Sequence, residues 1–189
     1  MHHVTFPDGH SRPSLGLGTW KIGESARARE AEIAAVRVAL ELGYRVIDSA
    51  EMYGEGGAEE VVGQAVAEAI RAGTLRREEL FVVSKVYPHN ASRRGVPAAC
   101  KRSLKRLGLE HIDLYLLHWP GSHPLAETVQ AFEGLCAQGR IGMAIPKAVR
   151  EAHLRENLAA AELELDADTV RAIDERFPPP RRRTPLATI

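Results

Sequence analysis

The sequence predicts an α/β fold in which short buried strands alternate with amphipathic helices around a parallel sheet. Three observations carry this. Short apolar runs, each ending in an ionisable residue, recur in the strand segments 46–48, 80–85 and 114–118, as expected of strands covered on both faces. Between them lie segments whose apolar residues fall at helical spacing. Each strand closes on an ionisable residue, Asp48, Lys85 and His118, separated by 37 and 33 residues. That spacing accommodates one strand plus one helix.

The elements follow in order. Val4-Thr5-Phe6-Pro7-Asp8-Gly9-His10 places an Asp-Gly turn between short alternations, a hairpin signal over residues 1–13. Residues 15–20 make a first strand, followed by a loop at Gly23. A helix is expected over 30–42, with Ile33, Val36 and Leu40 inward and Gly43 as its left-handed stop. A second runs over 58–70, with Val62, Ala65, Val66 and Ala69 inward. A third carries Val96, Cys100, Leu104 and Leu107 and ends at Gly108. The fourth, over 126–138, is expected to turn Val129, Phe132 and Cys136 inward, with Gly139 behind it. A strand over 141–145 ends at Pro146-Lys147. Terminal helices are expected over 151–161 and 168–176, the second capped by Asp166.

With 189 residues, the chain suits one domain (1–189) that buries roughly 70% of its unfolded surface. It needs no metal or disulfide for that. Acidic and basic residues number 25 each, which gives no reason to expect nucleic acid or an anionic membrane as partner. The run Arg181-Arg182-Arg183 falls in a Pro/Arg-rich tail over 177–189, read as solvated. Cys100 and Cys136 make no disulfide framework, which suits a reducing, cytoplasmic compartment. No apolar run reaches the ~18 residues of a membrane span, and the first residues lack the apolar core of a signal peptide.

Parallel βα repeats either close into a barrel or remain an open, doubly wound sheet. An open dinucleotide fold calls for G-x-G-x-x-G after its first strand; Gly16 and Gly18 are followed next by Gly23, so the spacing fails. Gly18 to Gly23 has the glycine spacing of a phosphate loop, but Glu24 stands where its lysine belongs.

In a βα barrel the strand ends gather at one mouth, where active sites are built. Asp48, Lys85 and His118 would meet there. Tyr53, in the Gly-rich turn five residues after Asp48, could reach them. These are parts of a proton-transfer site. A tyrosine ordinarily titrates near 10, too high for an efficient acid at neutrality. A cation ~4 Å away favours its phenolate by about 1 kcal/mol in bulk water but about 4 kcal/mol at an effective dielectric near 20. Lys85 could therefore activate Tyr53 where water is largely excluded. Asp48 would keep Lys85 charged, and His118 could donate to a carbonyl oxygen.

Ile47-Asp48-Ser49-Ala50-Glu51-Met52-Tyr53-Gly54, Val83-Ser84-Lys85, Leu116-Leu117-His118-Trp119-Pro120 and Gly16-Leu17-Gly18-Thr19-Trp20 closely resemble the motifs of the aldo-keto reductase family. The resemblance implies a catalytic tetrad of Asp48, Tyr53, Lys85 and His118, with Tyr53 as general acid, NADPH as hydride donor and small aldehydes or ketones as substrates. It places Gly18, Thr19 and Asp48 near the nicotinamide and Trp20 and Trp119 around the substrate. Pro146-Lys147-Ala148 with His153, Glu156 and Asn157 resembles the segment that holds the adenosine 2′-phosphate and adenine, Lys147 being the phosphate cation. The family often has arginine where His153 stands, which implies weaker and more pH-dependent phosphate binding. No metal is implied.

The family fold is a TIM-type (β/α) barrel, and between Ile141 and Ala144 it would carry three further βα units. This chain is expected to form an incomplete barrel of about five parallel strands plus the hairpin, because five strands do not close around a packed interior. Residues 141–145 are expected at the sheet edge beside 114–118, and the open edge favours a homo-oligomer. The alternative to an NADPH-dependent reductase is a non-catalytic relative that binds a nucleotide or a protein, or one without activity.

Overall fold

The computed structural model describes residues 3–5 and 11–143. Strands β1 (His3–Thr5) and β2 (Ser11–Pro13) form the antiparallel hairpin, with Val4 opposite Arg12. A parallel five-stranded sheet follows in strict chain order: β3 (Leu17–Gly18), β4 (Val46–Asp48), β5 (Phe81–Val86), β6 (Ile112–Leu117) and β7 (Ile141–Met143). Helices α1 (Arg29–Glu41), α2 (Gly57–Arg71), α3 (Gly95–Leu107) and α4 (Leu125–Ala137) connect consecutive strands. Each helix packs on the next, and α4 also packs on β7. The repeat read from the sequence is therefore present as an α/β unit of five parallel strands with an N-terminal hairpin. As expected, β7 lies at the edge beside β6, and β3 is the other terminal strand among the described residues.

The core lies between sheet and helices. Ile33, Val36 and Leu40 of α1, Val62, Ala65, Val66 and Ala69 of α2, and Val96, Cys100, Leu104 and Leu107 of α3 are buried in it. They meet Ile47, Val82, Ile112 and Tyr115 from the strands. The stop glycines behave as the pattern predicts: Gly43, Gly108 and Gly139 all have positive φ, a conformation that side chains disfavour.

Two expectations change. The first strand shrinks to Leu17–Gly18, because Thr19 leaves the ladder to turn back on β4: its backbone N–H and its hydroxyl both donate to the Asp48 carbonyl oxygen, each at 3.0 Å. Helix α4 is rotated from its expected face. Thr128, Ala131, Phe132 and Leu135 are buried, whereas Val129 and Cys136 are exposed. The buried hydroxyl of Thr128 donates to the Ala91 carbonyl oxygen at 2.6 Å, and this bond selects between two stripes that share Phe132. The helices expected over 151–161 and 168–176, the 177–189 tail and the end of the 141–145 strand lie outside the described residues.

Candidate active site

Asp48 is the last residue of β4, Lys85 the penultimate residue of β5, and His118 follows β6 directly. The parallel register sets these three ends side by side: Asp48 pairs with Val83, and Lys85 with Leu116. Tyr53 opens a short 3₁₀ turn, Tyr53–Gly56, in which Gly54, Glu55 and Gly56 all have positive φ. This tight reversal returns the chain to the mouth before α2 begins.

The Lys85 ammonium has three N–H groups and no acceptor. It donates to Asp48 Oδ1 at 2.6 Å, to the Ser49 carbonyl oxygen at 2.9 Å and to the Tyr53 hydroxyl at 3.3 Å. All three protons are thereby assigned. The Tyr53 oxygen accepts from Lys85, so its own O–H is left to donate elsewhere. The Lys85 side chain is only 13% exposed, while that of Asp48 is 45% exposed. The cation is thus shielded, and its counter-ion faces the open side of the mouth.

Aromatic rings frame this group. Trp20 stands edge-on to Tyr53 with centroids 4.9 Å apart, and His118 lies 5.6 Å from Tyr53 on an edge-to-face approach. Trp119 is 4.6 Å from His118, and Tyr87 is 5.6 Å from Trp119. Burial lowers the His118 imidazole to about 4; the Lys85 charge acts in the same direction and Asp48 against it. His118 is therefore neutral near pH 7 and carries one N–H. Its Nδ1 and the Trp119 Nε1 are buried with no hydrogen-bond partner among the described residues.

The Trp20 loop is held by backbone packing. Gly23, with φ +78°, lies so close to Gly57 that a β-carbon on either would collide with the other's backbone, and one on Gly54 would come within 2.8 Å of the Gly23 carbonyl. The Gly23 N–H also donates to Glu32 Oε2 at 3.0 Å. Glycine at these positions is a condition for Trp20 lying against Tyr53.

The structure thus brings together Asp48, Tyr53, Lys85, His118, Trp20 and Trp119. Gly18 lies opposite Asp48 in the ladder. Thr19 is fully buried beneath the site, its hydroxyl donated to the Asp48 carbonyl. Lys147, Ala148, His153, Glu156 and Asn157 lie outside the described residues. Sequence reasoning missed Tyr87, Glu51 and the Ser49 carbonyl. Glu51 accepts from Arg102, fifty-one residues away, a pairing that no local spacing reveals. Among the described residues no cluster of three metal-ligating side chains occurs, and no helix is long and apolar enough to cross a membrane.

A family model described as Aldo/keto reductase family matches residues 14–144. Methylglyoxal reductase YeaE of Escherichia coli (strain K12) is 50% identical over 138 residues, which cover 73% of this chain and 46% of that protein. A thermostable aldo-keto reductase solved with the inhibitor epalrestat matches with a TM-score of 0.76 at 33% identity, over 94% of this chain and 68% of that one. An aldo-keto reductase from Klebsiella pneumoniae solved with NADPH matches with a TM-score of 0.66 at 29% identity, over 100% of both chains. The chain spans about half the length of the first curated relatives it matches.

Proposed function

Because the chain belongs to the aldo/keto reductase family, we propose that it reduces small aldehydes and ketones to alcohols with NADPH, Tyr53 acting as the general acid. One observation carries this reading: Lys85, shielded and bound to Asp48, donates to the Tyr53 hydroxyl at 3.3 Å. The phenol can then give its outward proton to a carbonyl oxygen, and the phenolate that remains is stabilised by the adjacent ammonium. Neutral His118 supplies an N–H donor beside it and orients the same oxygen. Trp20 and Trp119 flank the substrate with apolar faces.

The mouth suits the nicotinamide end of such a cofactor. Asp48 offers a half-exposed carboxylate acceptor, and Trp119, tilted against His118, has an indole N–H with no partner among the described residues. Bound NADPH would supply the hydride. Gly18, Thr19 and Asp48 would adjoin the nicotinamide, and Lys147, Ala148, His153, Glu156 and Asn157 would hold the adenosine phosphate end. A cytoplasmic location accords with two unpaired cysteines, and a homo-oligomer would cover a terminal strand of the sheet.

Titration with NADPH, followed through its own emission and that of Trp20 and Trp119, tests binding. Oxidation of NADPH by methylglyoxal, the substrate named for the Escherichia coli relative, tests turnover. Tyr53→Phe should cost ~100-fold or more in rate; equal turnover in that variant overturns the assignment. A second reading, a nucleotide-binding relative without catalysis, is favoured by the exposure of Asp48 and by the half-length match. It predicts NADPH binding without oxidation.

A further inference from the structure

We propose that Glu51 and Arg102 are a positioning pair, which holds the segment carrying Tyr53 against the strand end carrying Lys85. The proposal rests on the reading of Tyr53 and Lys85 given above and adds residues that touch neither substrate nor cofactor.

Glu51 lies midway between Asp48 and Tyr53 and is 8% exposed. Its backbone N–H donates to the Lys85 carbonyl oxygen at 3.1 Å. Its Oε2 accepts from the Tyr87 backbone N–H and from Asn90 Nδ2, both at 3.1 Å. Its Oε1 accepts from Arg102 Nη2 at 2.6 Å. One residue therefore grips the chain at Lys85 and just beyond it, at Tyr87 and Asn90, while its charge is anchored to α3. The rest of the segment is tied by the Ser49 N–H to the Val83 carbonyl, the Tyr53 N–H to the Ala50 carbonyl and the Lys85 ammonium to Asp48, Ser49 and Tyr53, and among these only Glu51 links it to α3.

Electrostatics support the same role. Burial alone would raise the Glu51 carboxyl, but donors from Arg102, Tyr87 and Asn90 more than offset it, and the group lies below its ordinary value. A nearly buried carboxylate with all its partners in place resists displacement, since moving it would strand a charge. Tyr53 sits two residues further on. Proton transfer from Tyr53 demands a donor placed to within a fraction of an ångström, and a 1 Å error can cost ~100-fold in rate. Loosening Glu51 would let the phenol drift from the ammonium without unfolding the barrel segment.

The test uses the full chain and two readouts. Arg102→Met should lower kcat for NADPH oxidation with methylglyoxal about tenfold or more, while KM and the NADPH dissociation constant change by less than about twofold. Arg102→Lys should recover most of the rate. Independently of activity, amide hydrogen exchange in 49–53 should accelerate in Arg102→Met by clearly more than exchange in β6, beyond whatever fall in Tm the stranded carboxylate brings. Glu51→Gln, which keeps an acceptor for the Tyr87 amide but loses the charge, should show the same local acceleration. Wild-type kcat and exchange in both variants would overturn the proposal, as would uniformly faster exchange with a lowered Tm. A wild-type chain that turns over no NADPH, yet shows the local acceleration in both variants, leaves the pair standing and sinks the reductase reading instead.

Discussion

The Lys85 ammonium lies 3.3 Å from the phenolic oxygen of Tyr53, and its two remaining protons are taken by Asp48 and the Ser49 carbonyl. A lysine so engaged can only donate to the phenol, so its value to the reaction lies in stabilising the phenolate. Lys85→Met keeps the aliphatic stem and removes that donor. We expect single-turnover NADPH oxidation to slow by ~100-fold or more. Stability should fall by only about 1 kcal/mol or less in urea titration, because the Asp48 partner is half-exposed and screened. A variant that retains its rate would separate the lysine from the chemistry.

Behind Lys85 lies a second carboxylate. Glu59 of α2 is fully buried, accepts from the Ser84 hydroxyl at 2.6 Å and from Arg106 Nε at 2.6 Å, and pairs with the Arg106 guanidinium, whose Nη2 also lies 2.6 Å away. Removing the arginine strands this charge, and breaking a buried pair costs about 3–5 kcal/mol. Arg106→Met should be destabilised by that amount. The double variant Arg106→Met with Glu59→Leu should recover much of the loss, since an apolar pair of similar volume often replaces an ionic one without penalty. Equal midpoints for the single variant and the wild type in denaturant would show that Glu59 does not depend on Arg106.

Both networks bear on what the sequence could disclose. The strand ends Asp48, Lys85 and His118 were legible because the βα period and the apolar runs mark where each parallel strand stops, and parallel strands stop at one mouth. Helix faces were legible wherever a stripe was unambiguous, as in α2 and α3. They were not in α4, where Phe132 fits two stripes and a side-chain bond from Thr128 to Ala91, thirty-seven residues away, decides. Glu51–Arg102 and Glu59–Arg106 were invisible for the same reason. A carboxylate on an amphipathic helix or in a turn reads as solvated until its distant partner is known.

Gly57 offers a test of how Trp20 is placed. Its φ is ordinary for a helix, so alanine there meets no backbone strain, but the new β-carbon would collide with the Gly23 carbonyl. The Thr19–Gly23 loop must then move. Gly57→Ala should cost about 1–3 kcal/mol, the usual penalty for overpacking. It should also change the emission of Trp20, which stands 4.9 Å from Tyr53. Comparison with Trp20→Phe isolates that signal from Trp119. Unchanged emission and stability would mean that the loop is not seated on Gly57.

His118 provides the pH test. Burial first, and the Lys85 charge second, lower its imidazole from 6.5 to about 4 in the folded chain. Between those values the unfolded chain takes up a proton that the folded chain refuses. Stability must therefore fall as pH drops from about 6.5 towards 4, and the contribution levels off below, where both states are protonated. The slope should stay below the ~1.4 kcal/mol per pH unit of an unscreened site, since solvent reaches part of the ring. Carboxylates such as Glu51 also lose stability in acid, so the effect is read as the difference between wild type and His118→Gln. That difference should shrink across this window and be flat from pH 7 to 8. A difference independent of pH would mean that folding leaves the imidazole near its ordinary 6.5, and a difference that grows as pH falls would mean that the folded site favours the protonated ring; either outcome overturns the shielded His118 described here.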